Sequence, residues 1–540
     1  MDQASVQALE NFRSPSGIAD LPNELLALIF RELAVVDRPK RVLVPNKDPP
    51  TGCLLGWLHI THTCRHWRRV ALETASLWSR IDVNFGHRWA HEMILRSQRV
   101  PLTIDCYVQP DVPSDRLRRD ILEHISHISE LNITGMTESF LNDLLPHLVE
   151  PAPMLTALSL DSSMSATGSI APEDIFSRVS PKLRYLDLNN VCIPWTSTIF
   201  ANLTELYVNI DVETFTGFPP PLAYPSMTEL LDTLDKMPHL GDLWLYGMLP
   251  ASRLQDSVTN SRRSVSLSEL DALQLSGPLL NCSALLHHLE YPATASVKIS
   301  CTCDLSLVQE TDAIISIITR HTQGRPRYIA VTTYATDYEE PFVSVLTSPW
   351  LPTEGHWSKP SGEFSIDWTH PGHERDWTHT LCLLRTFFAV AKLDNIHTLE
   401  VNGRVDDENW RSIIGEACAN ASEIIVLLEG LAGLLSVIKA GTPIDAFPKL
   451  HTLILRKPFL SRHDDLRHDD QPVLDQLKMT LVERKARGVP IKTLDLSSYG
   501  KCDHDWVEAV KAIVPIVKYI GVNPASRWPC SQSDSIGSRI

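Results

Sequence analysis

The sequence predicts a mixed α/β protein, in which a short three-helix module is followed by an irregular strand/helix solenoid. Two patterns carry this expectation. Between Ile18 and Ile81, apolar residues recur at helical spacing. Further along, an apolar-x-x-apolar-x-apolar pattern returns at Ile128 (ISELNI), Leu155 (LTALSL), Leu183 (LRYLDL), Leu203 (LTELYV), Leu240 (LGDLWL) and Leu270 (LDALQL). It comes back at Ile396 (IHTLEV), Leu450 (LHTLIL) and Ile491 (IKTLDL). In each copy positions 4 and 6 point to one side of a strand and position 5 to the other. Helical stretches such as MTELLDTLDKM and PVLDQLKMTLVERKARG separate the copies. Strand plus helix, repeated, forms a stack in which each unit buries its face against its neighbours.

Taken in order, residues 1–17 are expected to form a flexible polar leader. The helical module spans 18–81. Leu21, Leu25, Leu28, Ile29 and Leu33 share one face of its first helix. Pro22 suits a first turn, where its missing N–H would be unpaired anyway, and Glu24 suits the positive end of the helix dipole. A polar insert occupies 34–56. Beyond it, Trp57, Ile60, Cys64, Trp67 and Ala71 form a second apolar stripe, and Leu77-Trp78 a third short turn. Three short helices with this much apolar surface cannot bury it all among themselves. Residues 82–119 connect the module to the rest through a helix over 85–98 and a strand over 101–108. The repeat domain covers 120–520, and 521–540 form a flexible tail. Between 291 and 393 the pattern is hard to follow, although ASVKISC, RYIAVTT, FVSVLT and GEFSIDW read as strands with irregular connections.

Composition narrows the function classes. With 43% hydrophobic and 21% charged residues the chain is of the folded, water-soluble type. A net charge of −16 argues against general nucleic-acid binding, which needs a basic face. The charge is uneven, because nine Lys/Arg against six Asp/Glu leave residues 18–81 at +3 and the remainder at −19. Eleven scattered cysteines show no framework spacing, as expected of thiols in a reducing compartment. The N-terminal residues lack the basic and apolar regions of a signal peptide, and the most apolar run, Ile424 to Ile438, is too short to span a bilayer. A cytoplasmic or nuclear protein is expected.

No catalytic constellation emerges, and neither an enzymatic activity nor a cofactor or metal is expected. The signatures G-x-S-x-G, H-E-x-x-H, G-K-[ST] and G-x-G-x-x-G are missing. Cys301 and Cys303 have the wrong spacing for a redox or zinc pair and read as strand thiols. His463-Asp464-Asp465 with His468-Asp469-Asp470 reads as a solvated charged loop, and His370 and His373 as part of a packed surface loop. His62, Cys64 and His66 are spaced to point in different directions along a helix. Arg65, Arg68 and Arg69 form a local basic run, too small for phosphate-backbone recognition.

Several of these residues, taken together, resemble a known module. Leu21-Pro22-Asn23-Glu24-Leu25-Leu26, Ile29-Phe30, Cys64-Arg65-His66-Trp67-Arg68 and Ser76-Leu77-Trp78-Ser79 occur in the order and spacing of the F-box. That module docks its protein onto the Skp adaptor of cullin-based, SCF-type ubiquitin ligases. The long insert and the wording around WLHITHTCRHWRRVALETASLWSRI resemble the fungal branch of the family. The resemblance implies adaptor contacts at Leu21, Pro22, Leu25, Ile29, Trp67, Val70 and Trp78. The later strand/helix pattern resembles degenerate leucine-rich repeats. Steps between copies are uneven, and the usual turn Asn or Cys is replaced by residues such as Ser163, Val191 and Met248. The two resemblances together imply a substrate-receptor subunit with a Skp-family adaptor, through it a cullin, and a target protein as partners, but no nucleic acid or membrane. Target contacts would fall on the strand face, at Arg184 to Asn189, Trp244, Tyr246 and His451. The rival expectation is a non-catalytic leucine-rich-repeat scaffold without a role in ubiquitin transfer.

Overall fold

A computed structural model of the chain describes residues 18, 21–43, 51–107, 114–135, 138–162, 169–211, 224–250, 263–303, 308–324, 326–334, 342–350, 362–369, 378–403, 414–415, 417–439, 446–456, 471–499 and 504–519. The leader 1–17 and the tail 521–540 lie outside the described residues. The chain divides into two compact units, residues 1–276 with 284–292 and residues 277–283 with 293–540. The division falls within the 120–520 stretch that the repeat pattern treats as continuous.

The first unit opens with the helix Asn23–Val36. The backbone then makes a hairpin, pairing Lys40–Leu43 antiparallel with Thr51–Leu54. A 3₁₀ segment at Gly56–His62, the helix Arg65–Glu73 and a 3₁₀ turn at Ala75–Trp78 complete the module. The stripe from Trp57 to Ala71 is therefore not one helix. Cys64 is extended, and its Sγ accepts the Trp67 N–H at 3.4 Å, so it caps the second helix and breaks the path from the 3₁₀ segment. Trp57 and Trp78 meet edge to face with centroids 5.0 Å apart, and the Trp78 Nε1 donates to the Ala71 carbonyl at 2.9 Å.

The insert is closed at its base. Trp57 N–H donates to the Asp37 carbonyl at 2.7 Å, so the excursion leaves and rejoins the module at one point. Gly56 makes this closure possible. Its φ is +52°, and a Cβ there would lie 2.6 Å from both the Asp37 carbonyl oxygen and the Arg38 carbonyl carbon. Because the helix runs on to Val36, the insert begins three residues later than the composition shift at Ala34 implies.

The connecting helix spans His87–Ser97. Its Arg96 guanidinium sits 4.4 Å above the Trp78 ring and pairs with Glu92 at 2.8 Å, which ties the connector to the module core. From here the strands succeed one another in chain order. Arg80–Asp82, Leu102–Tyr107, Ile128–Thr134, Ala157–Asp161, Tyr185–Asn189, Glu205–Asn209, Asp242–Tyr246 and Ala272–Pro278 each run parallel to the next. Ile81, Ile104, Leu131, Leu158, Leu186, Leu206, Leu243 and Leu273 stand side by side across this sheet, and all are buried. The position-4 leucines of the sequence pattern thus form one continuous ladder that begins at the end of the helical module. The turn after Tyr185–Asn189 is stabilised by Asn190, buried and with φ +55°, whose side-chain oxygen accepts the Asp211 N–H at 2.9 Å. An asparagine does serve this turn, one place earlier than Val191, where the repeat pattern would put it.

In the second unit the order of strands departs from chain order. Ser296–Thr302 pairs parallel with Phe364–Thr369, and Phe342–Ser348 lies antiparallel between Phe364–Thr369 and Tyr328–Tyr334. Tyr328–Tyr334 then pairs parallel with Thr398–Asn402. Thr398–Asn402, Glu423–Leu427, Thr452–Arg456, Thr493–Asp495 and Ile516–Lys518 continue in chain order, all parallel. Glu423–Leu427 is a strand that the repeat pattern does not anticipate. It and the helix Leu428–Lys439 divide the apolar run Ile424–Ile438 between them.

Gly56→Ala tests the closed base of the insert. The left-handed backbone and the carbonyl contact together should lower stability by about 2 kcal/mol, measured as a loss in the chemical-denaturation midpoint of the first transition.

Candidate functional site

The helix Asn23–Val36 is apolar on two sides. Leu26 and Phe30 are sealed, with Phe30 packed on the Trp67 ring at a centroid distance of 5.3 Å. Leu25, Leu28 and Ile29 point outward and remain 46%, 44% and 42% exposed. The stripe legible in the sequence is therefore the outward side of this helix, while its core side is the pair four residues apart that the stripe leaves out. Leu21 is half-buried and Pro22 exposed; Pro22 stands at the N-cap, its carbonyl accepting the Leu25 and Leu26 N–H groups. Trp67 is half-buried. Val70 and Trp78 are 3% and 1% exposed, so they hold the module together and offer no surface. Of the residues expected to contact an adaptor, the structure thus leaves Pro22, Leu25 and Ile29 outward and Leu21 and Trp67 partly so. Leu28, on the same stripe, joins them. Covering one such aliphatic side chain completely is worth roughly 1.5–3 kcal/mol. Arg65, Arg68 and Arg69 are exposed on the second helix.

A second feature lies on the side of the first unit's sheet opposite the leucine ladder. Asp105, Asn132, Ser159, Asp187, Tyr207, Trp244 and Gln274 form one row across the strands. Tyr185, Glu205 and Asp242 share the row on one side of it, and Asp161, Asn189, Asn209 and Tyr246 the row on the other. The rings of Tyr185 and Tyr207 are 5.4 Å apart, and those of Tyr207 and Trp244 meet edge to face at 4.8 Å. Hydrogen bonds fix the orientations: Tyr207 donates to Glu205 at 2.9 Å, Tyr246 to Gln274 at 2.6 Å, Ser159 to Asp187 at 3.0 Å, and Asn209 to Asn189 at 3.2 Å. Asn189, Trp244 and Tyr246 thus belong to one face, as the repeat pattern requires. Arg184 sits at the strand entrance, and its Nη1 donates to the carbonyls of Pro181 and Leu183. His451 belongs to the second unit, exposed, with Nδ1 2.9 Å from the Thr452 hydroxyl. Tyr207, Glu205 and Asp242 were not singled out from the sequence, although Tyr207 holds the same position 5 as Trp244.

The electrostatics of this face are those of crowded acids. Burial pushes the Asp187 carboxyl above the ordinary range and neighbouring Asp161 adds to the shift, while hydrogen bonds from Ser159 and Tyr185 oppose it. Burial, with help from Asp187 and Glu205, raises the Tyr185 hydroxyl to about 12, so it stays a donor. Burial, the hydrogen bond to Glu205 and the charge of Asp242 move Tyr207 in the same direction.

The described residues contain no cluster of three or more metal-ligating side chains. Cys301 and Cys303 bring their buried sulfurs within 3.7 Å; the hydrogen bond with Cys303, with burial, pushes the Cys301 thiol up, and burial raises nearby Cys282 to about 12. The acidic run 463–470 and the loop with His370 and His373 lie outside the described residues. Among the described residues no helix is long and apolar enough to cross a membrane.

A raised folded-state pKa on a carboxyl means that the protein is stabilised below the unfolded pKa, near 4, and loses that stability as pH rises through the folded value. Asp187→Asn should therefore raise the melting temperature at pH 7. The gap to wild type should close as the pH falls below about 4, followed by differential scanning calorimetry across the pH series.

Comparison with known proteins bears on the first of these features. Residues 18–84 match the F-box-like family model, a span that takes in the first helix, the insert, the second helix and the Leu77-Trp78 turn. No curated protein matches the chain. The outward stripe and the tryptophan core both fall inside the matched span, and the protein carries an F-box-like domain at residues 18–84.

Proposed function

We propose that the protein is a substrate-receptor subunit of an SCF-type ubiquitin ligase. The F-box-like domain docks a Skp-family adaptor, which links it to a cullin, and the sheet beyond, read as degenerate leucine-rich repeats, presents a target. The observation that carries this reading is the exposed stripe of Leu25, Leu28 and Ile29 on a helix whose other side is already packed. It lies within the span matched by the F-box-like model. Exposed apolar residues that form a contiguous helical patch mark an interaction surface, whereas scattered ones do not.

On this reading the protein carries out no bond chemistry. It holds a target close to a ubiquitin-charged enzyme and converts a bimolecular encounter into an effectively intramolecular one. The excess of positive charge in residues 18–81 favours encounter with an acidic adaptor and contributes more to association rate than to final affinity.

Leu25→Asp combined with Ile29→Asp tests the docking side without touching Leu26 or Phe30. Capture of purified Skp-family adaptor should fall at least about tenfold, with the far-ultraviolet circular dichroism unchanged. Undiminished capture would place the docking surface elsewhere. Cullin recruitment through the adaptor separates a ligase subunit from a scaffold: capture of adaptor without cullin favours the scaffold.

A further inference from the structure

The strand face of the first unit is chemically one-sided. Across Ala157–Asp161, Tyr185–Asn189, Glu205–Asn209 and Asp242–Tyr246, the positions turned away from the leucine ladder hold Asp161, Asp187, Glu205 and Asp242 and not one Lys or Arg. The nearest arginine along the chain, Arg184, has a guanidinium nitrogen engaged by the carbonyls of its own loop. Between the carboxylates runs the aromatic series Tyr185, Tyr207 and Trp244, with ring centroids 5.4 and 4.8 Å apart. These side chains are half-buried and remain open to solvent.

A cation is the ligand that both sets of groups favour. An ammonium or guanidinium gains from the negative face of an aromatic ring and forms charge-assisted hydrogen bonds with a carboxylate beside it. Phosphate-bearing polymers would meet like charge here. A bare metal ion finds no group of three ligating residues among the described ones. The series crosses three strands, each about 4.8 Å from the next. A single amine would cover one step of it, whereas an extended chain can place a cation at every second residue, about 6.6 Å apart.

We propose that this face docks an extended lysine- or arginine-bearing segment of a partner protein, with cations seated between the Tyr185–Tyr207–Trp244 series and the carboxylates of Asp187, Glu205 and Asp242. The burial that pushes the Asp187 carboxyl upward, with Asp161 adding to it, supports the assignment, because a bound cation supplies the compensation that its hydrogen bonds do not. The inference deepens the receptor reading and rests on it only in taking this face as the one that meets the target.

Fluorescein-labelled peptides of alternating lysine and serine, alternating glutamate and serine, and serine alone provide the test, titrated with the full-length protein and followed by anisotropy. The lysine peptide is expected to bind at low ionic strength and to weaken as salt is raised; the other two are expected not to bind. Asp187→Asn with Glu205→Gln, which keeps shape and one acceptor oxygen in each side chain, should weaken lysine-peptide binding about tenfold, and Trp244→Leu should weaken it severalfold. Equal binding of the three peptides, or lysine-peptide binding unchanged in both variants, would overturn the proposal. Adaptor capture by the same preparations is read separately. Retained capture with no lysine-peptide binding refutes this inference and leaves the receptor reading standing, whereas lost capture with selective lysine-peptide binding does the reverse.

Discussion

The ladder that runs from Ile81 through Ile104, Leu131, Leu158, Leu186, Leu206, Leu243 and Leu273 is the constraint on which the first unit depends. In a parallel sheet the side-chain period is two, so a slip of one residue in any strand would carry its ladder residue out to solvent and bring polar side chains into the core. Burying Leu186 and Leu188 on one side therefore fixes Tyr185, Asp187 and Asn189 on the other. The chemistry of the strand face is thus set by the core behind it. Because the ladder begins at Ile81, the last residue of the helical module, the same register also anchors the docking helix through the Trp78 core and the Arg96 clamp above it.

Much of this architecture is legible from spacing alone, because a buried strand in a parallel sheet must show an apolar pair at positions 4 and 6 with a third apolar residue upstream. Each copy of that pattern marks a strand. Glu423–Leu427 escapes notice because its upstream residue is Ala421, too small to register as a hydrophobic landmark, although the residue is fully buried. The order of strands between 296 and 369 is illegible for a different reason. Whether Phe342–Ser348 runs parallel or antiparallel to its neighbours is a property of the pairing and leaves no mark on the residues of a single strand. The docking helix misleads in a third way. Its apolar residues exceed what one face can hold, so periodicity finds a stripe and cannot say that Leu26 and Phe30 are the ones that pack.

The position of Asn190 shows how a turn keeps a physical requirement while its sequence landmark moves. The buried turn after Tyr185–Asn189 must satisfy the backbone N–H of Asp211, and a left-handed asparagine one residue early does so. Only the geometry must recur. Irregular spacing between copies and an absent landmark residue are therefore compatible with strands that stack in register, as they do here up to Ala272–Pro278.

The long insert and the exposed stripe are linked by the same economy. An insertion between two helices disturbs their packing only if its ends are forced apart, and here Asp37 and Trp57 stay hydrogen-bonded while Gly56 lets the chain pass close beneath the Arg38 carbonyl. Phe30 can then reach Trp67, and Leu26 and Phe30 are the two fully buried residues of the helix. Once those two side chains anchor it, Leu25, Leu28 and Ile29 are not needed for folding, and no element among the described residues covers them. A single exposed leucine would require no explanation. Three at i, i+3 and i+4 on one rigid helix form a surface already ordered before any partner arrives, so an adaptor that covers it gains the hydrophobic term without the entropy cost of ordering this side.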